Sequence, residues 1–222
     1  MKRICHYLPL FSLLLVYLPL ANAQSAVDFG LGFGYFHDKA AGGGIDNINS
    51  VNAFGSCTVG AADPNCVATP KLSSVFMGFG GDVMLTKRYG FGMWANITPG
   101  KSDYAGLQFR QWFYDFDGIY APINEKKVVL QLMGGIGGAK TSFSYTQNSC
   151  VGTAVCSSYS QPVGNSSHFQ VHAGVGVQVF VTEHVFVKPE FDFHYVPNLT
   201  QQFGSNSVPG FMVWVGYSLG DR

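Results

Sequence analysis

The sequence predicts an all-β protein that crosses a membrane as a closed, antiparallel, up-and-down barrel of eight strands. Only 12% of its 222 residues are charged, whereas 47% are hydrophobic, a balance that is unusual for a soluble protein. Beyond the N-terminal segment no run of about 18 apolar residues occurs, which excludes a spanning helix. Apolar and polar residues instead alternate with a period of two, as in strands with one apolar face. A closed barrel satisfies every backbone polar group in lipid without helices.

Residues 1–23 are predicted to be a cleaved secretory signal peptide. Lys2 and Arg3 supply its positive charge, an apolar stretch covers residues 8–20, and residues 21–23 form a small-x-small cleavage motif. An uncleaved membrane anchor is the alternative, but the apolar stretch is short for a membrane span. We therefore expect residues 24–222 to form one outer-membrane β-barrel.

Eight segments of the mature chain carry the two-residue alternation. In the first, residues 27–35, large apolar side chains alternate with glycine and Asp28. In the fourth, the apolar phase changes between Phe109 and Trp112, which predicts a bulge near Arg110–Gln111. The eight segments cover approximately residues 27–35, 72–85, 91–97, 107–120, 128–145, 168–181, 185–195 and 211–219. Bacterial single-chain barrels have an even number of strands, as here.

The connections between these segments alternate between long and short. This is the arrangement of a barrel with long extracellular loops, short periplasmic turns and a periplasmic N-terminus. A soluble sandwich or lipocalin-like barrel is the alternative, but its outer surface would carry many charges. Here the face opposite the apolar one carries glycine, serine, glutamine and few charges, which favours lipid outside and a tight polar lumen inside.

The glycine-aromatic first strand, the eight alternating segments and the sequence Val187-Lys188-Pro189-Glu190-Phe191 resemble the OmpA/OmpX-like outer-membrane β-barrel superfamily. The resemblance covers essentially all of the mature chain, through pattern rather than through a sharp motif. It implies a narrow barrel with a closed polar interior. One feature departs from the superfamily: such barrels usually end in an aromatic residue, whereas this chain continues past Tyr217 to Arg222.

The four cysteines outside the signal peptide form two close pairs, Cys57 with Cys66 and Cys150 with Cys156. Export to an oxidising compartment permits disulfides. Four cysteines allow three connectivities, and proximity in the sequence favours one bridge within each loop. Zinc is the alternative, but the usual C-x-x-C spacing is absent. No metal or other cofactor is expected.

The sixth and seventh segments place ionisable side chains on their inner faces. If these segments form a hairpin, the side chains contact one another across the strands. We call this predicted group the lumen cluster: His168, His172, Lys188, Glu190, Asp192 and His194. Gln178, Asp28, Asp82 and Arg110 are expected to extend it. Since unpaired burial of polar groups is costly, the cluster is interpreted as a plug of mutually paired groups.

The sequence thus favours a non-catalytic outer-membrane protein with a structural or surface-interaction role. One alternative is a pathway for ions or small solutes through the lumen cluster. Another is an enzyme that modifies lipid A, for which Ser166 and Ser167 directly precede His168. The expected partners are membrane lipid and, through polar loops, an extracellular protein or glycan. Without Lys2 and Arg3 the chain carries 11 basic and 13 acidic residues, which does not favour nucleic acid. A monomer is expected.

Overall fold

A computed structural model describes residues 26–38, 43–60, 64–151 and 155–220, with only the backbone described at 147–151, 155–158 and 201. The predicted signal peptide lies outside these residues. The strands in chain order are β1 (Ala26–Phe36), β2 (Gly44–Asp46), β3 (Ser56–Cys57), β4 (Cys66–Ala68), β5 (Ser74–Met84), β6 (Tyr89–Ile97), β7 (Ser102–Tyr104), β8 (Leu107–Asn124), β9 (Val128–Val151), β10 (Val155–Phe180), β11 (Val185–Tyr195) and β12 (Ser207–Leu219). A short 3₁₀ helix covers Leu199–Gln201. The described part of the chain contains no helix long and apolar enough to span a membrane.

Eight of these strands close into a ring. Each pairs antiparallel with its neighbours in the order β1–β5–β6–β8–β9–β10–β11–β12, and β12 pairs back with β1. Phe29, for example, lies opposite Tyr217 on one side and Gly81 on the other. The prediction of an eight-stranded up-and-down barrel is confirmed. Closure leaves no free sheet edge within the ring.

The barrel wall exposes a continuous belt of large apolar side chains. Leu31 is 67% exposed and Phe91 is 64% exposed. The belt includes Phe29, Leu31, Phe33, Val75, Phe79, Phe91, Met93, Phe116, Ile136, Phe169, Phe191, Phe211 and Val215. Exposed apolar surface of this extent marks contact with lipid. Tyr35, Tyr120 and Tyr195 are also exposed near strand ends, where aromatic girdles lie at the two membrane interfaces.

Two apolar clusters fill the lumen near its ends. The extracellular apolar cluster packs side chains from the strand ends against residues of the β11–β12 loop, and includes Phe36, Phe76, Phe109, Phe113, Leu199, Phe203 and Val208. The periplasmic apolar cluster contains Ala26, Met84, Ile119, Ala121, Val129 and Met133, with Phe180 packed against it. The polar groups of the lumen therefore lie between two apolar layers.

The predicted bulge in β8 is wrong. Arg110 and Gln111 pair with β9 without a shift, and the register shift of this strand pair follows Tyr120, near the periplasmic end. The apolar phase changes for another reason. Phe109 points inward into the extracellular apolar cluster, whereas Trp112 faces outward. Side chains continue to alternate between the two faces, and only the environment of the inner face changes along the strand.

Additional structure lies at the extracellular end. β2, β3 and β4 form a small sheet within the first long connection, and the Cys57–Cys66 disulfide joins β3 to β4 across a Cα–Cα distance of 5.9 Å. This bridge is as predicted. The backbone register places Cys150 opposite Cys156 in the β9–β10 hairpin. Because their side chains are outside the described set, the second bridge stays a prediction.

Candidate functional site in the barrel lumen

The structure brings together five of the six residues of the predicted lumen cluster. The inner face of β11 carries Lys188, Glu190, Asp192 and His194, all of them buried. His172 is buried on β10, directly opposite His194 in the strand register. Alternation along two paired strands is sufficient to produce this convergence.

His172 bridges two carboxylates. Its Nδ1 lies 2.9 Å from Asp117 Oδ1, and its Nε2 lies 3.1 Å from Asp192 Oδ1. Ionised carboxylates only accept hydrogen bonds, so an imidazolium, which donates from both ring nitrogens, fits this position. The resulting buried ion triad fixes β8, β10 and β11 relative to one another.

His194 forms a second, adjacent group. Its Nε2 lies 3.2 Å from Asp115 Oδ2, and Gln170 Nε2 donates a 2.5 Å hydrogen bond to Asp115 Oδ1. The His194 ring stacks on His172 with centroids 4.7 Å apart, and on Phe113 at 4.8 Å. His194 thus joins the charged layer of the lumen to the extracellular apolar cluster.

Lys188 and Glu190 form the third group, nearer the middle of the barrel. Lys188 Nζ lies 2.6 Å from Glu190 Oε2 and 4.1 Å from the centroid of the Trp94 ring. Trp214 Nε1 donates a 2.8 Å hydrogen bond to Glu190 Oε1. The buried ammonium is therefore held by a carboxylate and by the face of an aromatic ring. Gly32 makes room for this arrangement, since a Cβ there would lie 2.6 Å from the Trp214 indole.

Two glutamines connect the Lys188 group to the strands on the other side of the barrel. Gln131 Oε1 accepts from Lys188 Nζ at 3.4 Å, and Gln131 Nε2 donates to Asp82 Oδ2 at 3.4 Å. Gln178 Nε2 donates to Asp28 Oδ2 at 2.8 Å. We call the three groups and the two glutamines, with the carboxylates that they contact, the lumen network. Asp28, Asp82 and Gln178 lie in this network, as the alternation predicts.

His168 and Arg110 do not reach the network. His168 is half-buried near the extracellular mouth, where its Nε2 lies 2.7 Å from Ser166 Oγ. It lies on the inner face of β10, two residues from Gln170 toward the extracellular mouth and away from the carboxylates. Arg110 shares the outward phase of Trp112 on β8, so the expectation that it extends the lumen cluster is wrong.

The lumen carries more buried carboxylates than buried cations. The carboxylates are Asp28, Asp82, Asp115, Asp117, Glu190 and Asp192, and the cationic or ionisable basic groups beside them are Lys188, His172 and His194. Even with both imidazoles charged, carboxylates outnumber cations among the described lumen residues. Because uncompensated buried charge is costly, this excess makes each buried cation of the lumen important for the stability of the barrel.

Three of these side chains offer ligand atoms to a metal. One atom from each of Asp115, His172 and His194 lies within 4.8 Å of the others. However, His172 already uses both ring nitrogens toward Asp117 and Asp192, so neither has a lone pair for a metal. The arrangement is therefore better described as a buried ion-pair network than as a metal centre.

Several members of the network were absent from the sequence prediction, namely Asp115, Asp117, Gln131, Gln170, Trp94 and Trp214. A usable signal was present for the two aspartates. They alternate with Tyr114 and Phe116, whose outward orientation follows from the pattern, so both carboxylates must point inward. Which strands bring their partners depends on barrel closure and register, which the alternation does not specify.

Comparisons with known proteins bear on the fold. No known sequence family matches the chain, and no curated protein is significantly similar to it in sequence. Among solved structures, Ail, the attachment invasion locus protein of Yersinia pestis in complex with the heparin analogue sucrose octasulfate, is similar with a TM-score of 0.52 and 11% identity. The similarity covers 88% of this chain and 99% of Ail. Neisserial surface protein A (NspA) has a TM-score of 0.51 at 9% identity, over 90% of this chain and 98% of NspA.

These similarities concern architecture, because the identities are low. The closed ring of eight antiparallel strands is shared with both solved barrels. The lipid-facing belt described above supplies the independent evidence for a membrane location. The chain has the fold of the OmpA/OmpX-like outer-membrane β-barrels, as its sequence pattern predicts, and its place is the outer membrane.

Proposed function

We propose that this protein is a non-catalytic outer-membrane barrel that presents an extracellular surface for binding a partner. The observation that carries the proposal is the length of the β9–β10 hairpin. β8 last pairs with β9 at Gln108–Ser144, whereas β9 and β10 remain paired as far as Val151 and Val155. Residues 145–151 and 155–161 thus form a two-stranded extension above the barrel, which we call the extracellular ribbon.

The ribbon has features of a contact surface. Tyr159 is 68% exposed, and Tyr145 is also exposed at its base. Aromatic side chains of this kind supply contact area at low cost in conformational entropy. Within the described residues, the ribbon strands pair only with each other, so their outer edges offer backbone groups to an added strand. An extended peptide or a glycan fits such a surface.

The packing of the lumen also supports this proposal over an ion pathway. Apolar clusters fill the described lumen near both ends, and the extracellular one extends inward to Trp94 and Trp214, whose ring centroids lie 4.6 Å apart. The charged groups between these layers pair with one another rather than facing an open channel. Charges arranged in this way stabilise a scaffold.

A sulfated sugar is a reasonable first ligand to test. The similar barrel Ail binds a heparin analogue. A binding panel for this protein therefore includes sulfated and unsulfated glycans as well as extracellular proteins.

The test compares cells that carry the full chain with cells that carry a shortened ribbon. Thr146 and Ser160 face each other in the register, so replacing residues 147–159 by Asn-Gly joins them with a two-residue turn. Cells with the full chain are expected to bind at least one immobilised glycan or protein, and cells with the shortened ribbon to lose that binding. Lys126→Ala, in an exposed periplasmic turn, is the matched control. Equal binding by both forms, or no binding by the full chain, contradicts the proposal, provided that both forms show the heat-dependent gel shift of a folded barrel.

A second candidate function rests on Ser166 and His168. Their 2.7 Å contact at the extracellular mouth is within the reach that a nucleophile and its base require. An enzyme that modifies lipid A would use such a pair at this height. The described contacts give His168 no carboxylate to orient it, which weakens this candidate. An altered lipid A mass on expression, abolished by Ser166→Ala, would establish it, whereas an unchanged mass would exclude it.

A further inference from the structure

A basic pocket lies on the lipid-facing wall of the barrel near its extracellular end. Its volume is about 310 Å³, and its lining includes Lys101, Arg110, Trp112, Ser142 and Ser160. None of these residues belongs to the lumen network or to the lumen cluster. The pocket is formed where β8, β9 and β10 meet the segment before β7.

The strand register places this pocket at the upper boundary of the lipid-facing belt. Phe116 and Ile136 face each other within the belt and are both exposed. Four residues further along these strands, Trp112 faces Lys140, and two residues beyond that pair Arg110 faces Ser142. The wall therefore changes from apolar to cationic at Trp112. Tryptophan beside basic residues is typical of the headgroup level of a membrane.

The cations of the pocket have no carboxylate partner among the described residues. Lys101 Nζ donates a 2.6 Å hydrogen bond to Ser160 Oγ, and Arg110 Nη2 donates a 3.4 Å hydrogen bond to Pro99 O. Arg110 Nε is buried and has no hydrogen-bond partner. Asp103 on β7 is the nearest acidic residue along the chain, and it forms none of the ion pairs of the described residues. Lys101, Arg110 and Lys140 together therefore leave an excess of positive charge.

We propose that the basic pocket binds the phosphate groups of a phosphorylated glycolipid in the outer leaflet. A guanidinium binds phosphate through two parallel N–H donors, and an ammonium adds a point charge. The Ser142 and Ser160 hydroxyls lie beside these cations and donate to the remaining phosphate or sugar oxygens. A membrane lipid is favoured over a soluble ligand because the pocket opens on the barrel wall directly above the apolar belt. Acyl chains lie along the belt when the headgroup occupies the pocket.

The experiment measures lipid binding to the refolded full-length barrel by native mass spectrometry from detergent micelles. The probes are bisphosphorylated lipid A and dephosphorylated lipid A with the same acyl chains. We expect the barrel to prefer the phosphorylated probe, and Lys101→Ala and Arg110→Ala each to weaken its binding roughly fivefold. Lys126→Ala and Lys127→Ala, which remove the same charge from an exposed periplasmic turn, are expected to leave binding unchanged. Arg110→Lys is expected to retain part of the preference.

Three results would overturn the proposal. The first is equal binding of the two lipid probes, and the second is an equal loss of binding in the periplasmic control variants. The third is a barrel that binds sucrose octasulfate or inorganic phosphate through Arg110 but does not prefer phosphorylated over dephosphorylated lipid A. That result would assign the pocket to a soluble anion. A heat-dependent gel shift for each variant shows that a loss of binding does not arise from unfolding. The ribbon is intact in all of these variants, so failure here leaves the proposed function standing.

Discussion

The buried pair Lys188–Glu190 predicts an asymmetric response to charge removal. Removing one partner of a buried ion pair generally costs about 3–5 kcal/mol, because the other charge is left uncompensated. In this lumen the two removals differ. Lys188→Met takes a cation from a region with an excess of carboxylates, and it also removes the ammonium that lies 4.1 Å from the Trp94 ring. We expect it to lower the free energy of unfolding by about 3–5 kcal/mol.

Glu190→Gln is expected to have a smaller effect. This substitution removes one of the excess carboxylates of the lumen. The amide oxygen that replaces Glu190 Oε1 can still accept the hydrogen bond that Trp214 Nε1 donates over 2.8 Å. Lys188 also keeps Gln131 as an acceptor. The remaining loss is that of a charged hydrogen bond, about 1.5–3 kcal/mol.

The assay is reversible urea unfolding in lipid vesicles, followed by tryptophan fluorescence. Trp94 and Trp214 lie 4.1 and 5.7 Å from Lys188 Nζ, so their emission reports on this layer of the lumen. Lys126→Met, on an exposed turn, serves as the control and is expected to change stability by less than about 0.5 kcal/mol. The reasoning is refuted if Glu190→Gln destabilises the barrel as much as Lys188→Met does, or if neither differs from the control.

Three further predictions follow from the packing and the covalent structure. Gly78→Ala places a methyl group against the Trp214 indole and should destabilise the barrel by about 1–3 kcal/mol in the same urea titration. Gly118→Ala is the control and should be neutral, because a Cβ there meets only a backbone oxygen at 3.7 Å. Cys57→Ser should leave the barrel folded, as shown by its gel shift, but should accelerate proteolysis of the first extracellular connection. Equal cleavage rates in the variant and the unmodified protein would show that the disulfide does not stabilise this connection. In planar bilayers the refolded barrel should show no conductance steps. Steps that disappear in Glu190→Ala would instead favour an ion pathway through the lumen.

The alternation of residue types was sufficient to predict the barrel, its eight strands and the inner position of the β11 side chains. It was insufficient where the environment of one face changes along a strand. Phe109 is apolar and points inward because the extracellular end of the lumen is filled by apolar side chains. From the sequence alone, this resembles a break in the pattern, which predicts a bulge. The same reasoning misplaced Arg110, which the continuous alternation assigns to the outer wall.

The candidate site could be predicted only in part, because its contacts join strands that are distant in the sequence. His172 and His194 lie in one hairpin, and the sequence predicts their proximity. Their carboxylate partners Asp115 and Asp117 come from β8, which reaches β10 and β11 only across the closed lumen. Pairing of this kind depends on barrel diameter and shear. A sequence pattern therefore identifies which side chains enter the lumen, but not which of them meet.

The layered lumen explains how a barrel this narrow accommodates so many charged groups. Apolar clusters near both ends limit the access of water, so the charges between them must satisfy one another. His172 meets this requirement by linking three strands, and Lys188 by combining a carboxylate with an aromatic face. The described cations of the lumen are thus held by neighbouring lumen groups. Binding is then expected on the surfaces outside the lumen, namely the extracellular ribbon and the basic pocket at the membrane interface. Substitutions there should alter binding while leaving the unfolding free energy of the barrel nearly unchanged.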